Sequence, residues 1–203
     1  MGAELDAALL AARRGDSEGV TALWRALNPP LERYLAALVG QAAQDVASET
    51  WLQAARDVPG FRGDAHGFRV WLFRIARNRA VDEQRLEGRR REEPLGMRGD
   101  SGGAAPDAAT VAEERLGTDR AMALIARLPK EQAEAVLLRS VAGLDARACG
   151  AILGKRPGAV RIAAMRGLRG LAAILEQEQE PETTQLSQAG RAPSRGAVSE
   201  VRE

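Results

Sequence analysis

Between Glu4 and Leu27 apolar residues return every three or four positions, with one interruption at Gly15-Asp16. That period belongs to an amphipathic helix, and Asp16 or Ser17 is suited to cap a restart. The spacing therefore predicts two helices within residues 4–27. Asn28-Pro29-Pro30 should break the second, with the prolines in the first turn of a helix over Leu31–Val39. Gln44–Arg56 carries Val46, Trp51, Leu52 and Ala55 at mixed three- and four-residue spacing and reads as the next helix. Pro59-Gly60 and Gly63-Asp64 mark a loop, and a helix from about Gly67 to Leu86 follows, leading into Arg89-Arg90-Arg91. On it Phe68, Trp71, Leu72, Ile75 and Ala76 form a core stripe, while Arg74, Asn78 and Arg85 share another face with Arg77 adjacent. The pattern leaves Phe61 and Phe73 unassigned.

From Glu92 to Thr118 the periodicity dissolves into Gly, Pro, Ala and Asp, which reads as a flexible linker. Helical order resumes near Asp119. Leu128-Pro129 starts a helix through Arg139, Gly143 and Asp145 introduce another that ends at Gly154, and Pro157 opens a last one to about Glu176. What remains is polar and poor in large apolar residues, so a disordered tail is expected. The expected fold is all-α: a helical domain over 4–91, a linker over 92–118, a second helical domain over 119–176 and a tail over 177–203.

Composition narrows the chemistry. Only seven of 203 residues are aromatic, and Ala, Leu and Arg dominate, which favours helix over strand. The single cysteine, Cys149, allows no internal disulfide and suits a reducing compartment; a buried core thiol is its expected state. One histidine, His66, and one cysteine supply no zinc site of the usual ligand count. No titratable constellation suggests an enzyme, and no metal or cofactor is expected. MGAELDAALLAARRGD lacks the layout of a signal peptide, and no apolar run is long enough to span a membrane. A cytoplasmic protein is the expectation.

Net charge is only +1, but its distribution is uneven. Residues 1–60 carry eight acids against five arginines, residues 61–91 nine arginines against four acids, and residues 92–119 seven acids against two arginines. Between Gly154 and Gly170 stand five basic residues and no acid. Two basic islands in an otherwise acidic chain fit two separate contacts with a polyanion. The linker between them has a root-mean-square span of roughly 30 Å, near one turn of a DNA duplex.

The second island, DARACGAILGKRPGAVRIAAMRGLRGL, joins a short helix to a second one through a Gly-bearing turn. Val160, Ala164, Leu168 and Leu171 form the stripe expected in the core. Arg161, Ile162, Met165, Arg166 and Arg169 lie off it, and Lys155 and Arg156 precede the helix N-terminus, where phosphates are favoured. This is the layout of a helix-turn-helix that reads the major groove. In the first island, a cationic helix beside the polar loop FRGDAHG could hold a nucleic-acid backbone while the loop accepts a splayed base. A solvated arginine face is the alternative for both.

With both islands placed, about residues 10–176 resemble the extracytoplasmic-function group of bacterial sigma-70-family sigma factors. QDVASETWLQAARDVPGFRG is similar to the group's polymerase-binding helix, and FRVWLFRIARNRAVDEQR to its promoter-melting, −10-reading helix. IARLPKEQAEAVLLRSVAGL and AILGKRPGAVRIAAMRGLRGL resemble its −35-binding domain. The resemblance implies that Asp45, Val46, Glu49, Trp51 and Leu52 meet core RNA polymerase. It implies that Phe61, Arg62, Asp64, His66, Arg74, Arg77, Asn78 and Arg85 serve the −10 strand, and that Lys155, Arg156, Arg161, Ile162, Met165 and Arg166 face the −35 duplex. Family recognition helices often carry polar residues after the Val-Arg pair, whereas Ile162-Ala163-Ala164 follow here; contact with thymine methyls and phosphate-dominated binding both remain open. The resemblance also implies an anti-sigma partner and a monomer when free. A stand-alone helix-turn-helix regulator is the competing reading; it explains the second island and leaves the first without a role.

Overall fold

The computed structural model describes residues 2–92, 117 and 120–189. Residues 93–116 and 118–119, most of the expected linker, and the tail beyond 189 lie outside the described residues. No strand occurs among those described, and the protein is all-α.

Helices α1 (Gly2–Arg13) and α2 (Ser17–Val39) form a hairpin. Asp16 caps α2, its side chain accepting from the Glu18 N–H at 2.8 Å. The expected break at Asn28-Pro29-Pro30 does not occur; α2 runs straight through both prolines. The carbonyls that lose their donors are those of Arg25 and Ala26, whose residues lie on the exposed side. On the other side Leu23, Leu27, Leu31, Tyr34 and Leu35 form one uninterrupted buried stripe that holds the helix in line. Asn28 is buried among them with both ends of its amide engaged. Its nitrogen donates to Glu32 and its oxygen accepts from the Trp51 indole, each at 2.9 Å.

Helix α3 (Ala43–Asp57) packs on α2, and α4 (Ala65–Glu92) closes the first half. Asp64 caps α4 by accepting from the Gly67 N–H at 2.7 Å, so the helix starts two residues before its expected position. Phe68, Leu72, Phe73, Ala76 and Ala80 are buried. Phe73 is therefore a core residue, edge-on to Tyr34 at 5.5 Å between ring centroids. Phe61 is half-buried, its ring 5.5 Å from Phe68 and 5.3 Å from Trp71.

The second half comprises α5 (120–126), α6 (Lys130–Val136), α7 (Ala146–Leu153) and α8 (Pro157–Ala189), with α6 loosening into a π-turn over Leu137–Val141. Helix α8 outruns its expected end near Glu176, and Glu178 accepts from both Arg120 (3.2 Å) on α5 and Arg127 (2.6 Å) in the turn just after it. Its buried stripe is Val160, Ala164 and Gly167; Leu168, expected in the core, is 52% exposed. At Gly167 the helices come too close for a larger residue, because an added Cβ would stand 2.7 Å from Val136 and 3.2 Å from the Gln132 carbonyl. One hydrophobic cluster runs through both halves of the chain.

Candidate nucleic-acid interface

The turn between α7 and α8 is built from local signals. Asp145 caps α7 by accepting from the Ala148 N–H at 2.7 Å, and this bond holds its carboxyl below the usual range. Gly154 ends α7 in the left-handed region at φ 66°. Gly150 is needed one turn earlier: a Cβ there would sit 2.5 Å from the Lys155 carbonyl oxygen. The chain thus folds back tightly enough to set Lys155 and Arg156 at the mouth of α8. Arg156, Arg161, Ile162, Met165 and Arg166 are all exposed, and Lys155 is half-buried beside Glu131, with which it pairs. Arg161 and Met165 border a groove shared with Arg139, Ser140, Leu168 and Arg169. Ile162 and Arg166 border another, on the α6 side. Five of the six residues expected here are thus exposed and Lys155 is half-buried, and Leu168 and Arg169 are exposed beside Arg161 and Met165. Arg169 was legible, being four residues from Met165 and eight from Arg161.

The first island is more divided. Arg62, Asp64, His66, Arg74, Asn78 and Arg85 are exposed. Arg62 bonds back to the Pro59 and Phe61 carbonyls at 3.3 Å, and Arg85 pairs with Asp82 at 3.3 Å. Asp64 is committed to its cap and Phe61 to its aromatic neighbours, so both shape the loop. Arg77 is not on the open face; its guanidinium meets Glu134 of α6 at 3.1 Å. Helix α1 braces the loop, a support that the sequence pattern does not announce. Arg13 donates to the Gly63 carbonyl at 2.6 Å and lies 5.6 Å from the centre of the Phe61 ring, and Asp6 accepts from the Ala65 N–H at 2.7 Å.

On α3 the five residues expected to meet polymerase separate by burial. Trp51 is only 8% exposed and Val46 is also buried, which corrects the expectation that their side chains face outward: the indole spans α2 and α3 instead. Asp45 and Glu49 are exposed, and Leu52 is 72% exposed, too open for a core residue. Asp45 and Glu49 line a groove of about 550 Å³ together with Ser48, Asp82, Glu83 and Leu86, with Val46 at its edge. Arg79 crosses from α4 to Glu49 and to Gln53.

Cys149 is buried, as expected, and burial pushes its thiol up to about 11. Among the described residues no cluster of side chains has the make-up of a metal site, and no helix is long and apolar enough to cross a membrane.

Residues 23–90 match the family described as Sigma-70 region 2, and residues 118–171 match Sigma-70, region 4. The chain belongs to the extracytoplasmic-function group of sigma-70 RNA polymerase sigma factors. This sigma factor is similar to SigD of Mycobacterium tuberculosis, at 32% identity over 176 residues that cover 84% of this chain and 83% of SigD. It is also similar to ShbA of Streptomyces griseus, at 33% over 174 residues, covering 80% and 91%. Among solved structures, CnrH in complex with the cytosolic domain of CnrY aligns with a TM-score of 0.62 at 21% identity, over 86% of this chain and 99% of that one. RpoE in complex with the anti-sigma factor NepR, from Bartonella quintana, gives 0.57 at 19%, over 75% and 94%. At these identities the structural likeness is one of fold. The sigma factor's helix-turn-helix lies within the region 4 match, and its Arg-Asn helix and acidic groove lie within the region 2 match.

Proposed function

We propose that this sigma factor directs initiation by reading two unlike promoter elements while docked on core RNA polymerase. The reading is carried by the α8 surface: an acid-free run from Gly154 to Gly170 presents Arg156, Arg161, Ile162, Met165 and Arg166 outward behind a tight glycine turn. These residues, with Lys155, would face the −35 duplex, the arginines reading guanine edges or phosphates and Ile162 and Met165 meeting thymine methyls. Arg62, on a loop shaped by Phe61 and Asp64, together with His66, Arg74, Asn78 and Arg85 of α4, would handle the −10 strand. Asp45, Glu49 and Leu52 would meet polymerase. The chain contributes specificity and no catalytic group, and it needs no cofactor. An anti-sigma factor is proposed as a further partner, because the similar RpoE was captured with one. A free monomer fits two unlike elements, whereas a palindrome calls for a two-fold dimer.

Run-off transcription from fragmented genomic DNA, with core polymerase plus and minus this protein, tests the reading. Discrete new start sites sharing two upstream elements are expected. Failure to bind core polymerase would favour a stand-alone regulator. At those promoters Arg161→Ala or Arg166→Ala should weaken binding by about 1–3 kcal/mol where the side chain is bidentate to guanine; undiminished binding removes that residue from the readout.

A further inference from the structure

Helix α1 lends no residue to the surfaces proposed above, yet it holds the loop between α3 and α4 at three points. Asp6 and Arg13 stand two helical turns apart, about 10.5 Å along one face of α1. The Arg13 guanidinium donates to the Gly63 carbonyl at 2.6 Å and lies 5.6 Å from the centre of the Phe61 ring. The Asp6 carboxylate accepts at 2.7 Å from the N–H of Ala65, the first residue of α4. Each bond has one charged partner and so belongs to the stronger kind.

The loop needs this support. Gly63 sits at φ 151°, where other residues are rarely found, and a Cβ there would press on the Phe61 ring at 3.1 Å. Glycine has the most backbone freedom to lose, and the carbonyl that Arg13 takes is its own. Asp6 meets an N–H that no carbonyl within α4 can reach, and so fixes where the helix carrying His66 begins. The support is itself rigid. Between Asp6 and Arg13 lie Leu9 and Ala12, each 1% exposed, and a Cβ on Gly19 of α2 would stand 2.7 Å from the Ala8 carbonyl oxygen. Helix α1 therefore cannot slide along α2, and the loop inherits its register. The Arg13 Nε is buried without a hydrogen-bond partner, a penalty that an arginine turned to solvent would not carry. Arg62 and His66, at either end of the held segment, are exposed. Groups that read a base through hydrogen bonds tolerate little displacement.

We propose that Asp6 and Arg13 are positioning residues for −10 reading. Through Gly63, Phe61 and Ala65 they set how sharply the loop and the start of α4 discriminate between bases, without touching the strand. This role rests on the −10 reading proposed above.

The test uses the full chain with core polymerase on fragmented genomic DNA. Start sites are mapped for native and variant chains, and the ratio of most to least favoured base is taken at each position of the two upstream elements. Asp6→Ala and Arg13→Ala should lower that ratio at the −10 element by at least about threefold, part of what one base pair contributes to discrimination, and leave the −35 element unchanged. Asp6→Asn keeps an oxygen for the Ala65 N–H and should restore most of the preference. Arg14→Ala removes an exposed charge one residue away and should match the native chain. In the free chain, hydrogen exchange at the Ala65 amide should quicken at least about tenfold in Asp6→Ala and stay slow in Asp6→Asn. If Asp6→Ala loses its helical circular dichroism, Arg13→Ala carries the test. A −10 preference kept in both alanine variants, or lost equally at both elements, overturns the role; so does an Asp6→Asn chain that fails as Asp6→Ala does. A native chain whose starts share no −10 element fails the −10 reading itself, and the role falls with it. A loss confined to the variants leaves that reading standing.

Discussion

Removing the Asn28 amide tests what holds α2 and α3 together. Asn28→Ala leaves the Trp51 indole N–H, now bonded at 2.9 Å in a buried setting, with nothing to donate to. An orphaned buried donor costs about 1–3 kcal/mol. Alanine returns roughly 0.6 kcal/mol of helix propensity, which leaves a net loss of about 1–2 kcal/mol. In a cooperative unit of this size that lowers Tm by about 2–8 °C. Trp51→Phe removes the donor and some packing, so alone it should also destabilise. In the double variant neither group is left unpaired, and the two losses should overlap by about 1–2 kcal/mol. Urea unfolding of the native chain, both singles and the double closes the cycle. A coupling within about 0.3 kcal/mol of zero would refute the reasoning and leave the continuity of α2 through Pro29 and Pro30 to its apolar stripe alone.

Asp145→Ala should lower the urea midpoint by uncapping α7. The folded carboxyl titrates below its unfolded value near 3.8, so its contribution is complete above that value and fades as pH falls through the folded one. The gap between native and variant should accordingly close on acidification, and a gap constant down to pH 2 would contradict the cap. Gly150→Ala, with its Cβ pressed on the Lys155 carbonyl, should cost a net 1–2 kcal/mol, roughly, despite better helix propensity; a melting curve unchanged from native would show that the turn relaxes freely. Cys149, with its thiol pushed up to about 11, should react with a disulfide reagent at pH 8 at least about a hundredfold more slowly in the native chain than in denaturant. Rapid native labelling would mean that the core around it opens.

Much of this architecture was readable one segment at a time. Asp16, Asp145 and Gly154 act through neighbours within five residues, so the caps and the helix-turn-helix follow from sequence. Pro29-Pro30 was misread because a local rule for helix breaking met a long-range fact: the stripe from Leu23 to Leu35 is buried continuously in the core, where α1, α3 and α4 all pack on α2. Leu168 was misread because the close approach at Gly167, which carries no side chain to count, decides which face of α8 turns inward. On the candidate surfaces, exposed Leu52 and buried Trp51 are adjacent in sequence and equally apolar, so pattern alone could not separate them. The Arg77–Glu134 pair spans 57 residues, and nothing local to either announces the other.

The brace from α1 carries a consequence for where this protein begins in functional terms. The region 2 match starts at residue 23, so Asp6 and Arg13 fall outside it, yet they hold Ala65, Gly63 and the Phe61 ring. A fragment cut at that boundary keeps every residue of the loop and loses its scaffolding. On the −10 role proposed for the loop, substitutions in α1 would shift promoter choice even between relatives identical throughout both matched regions.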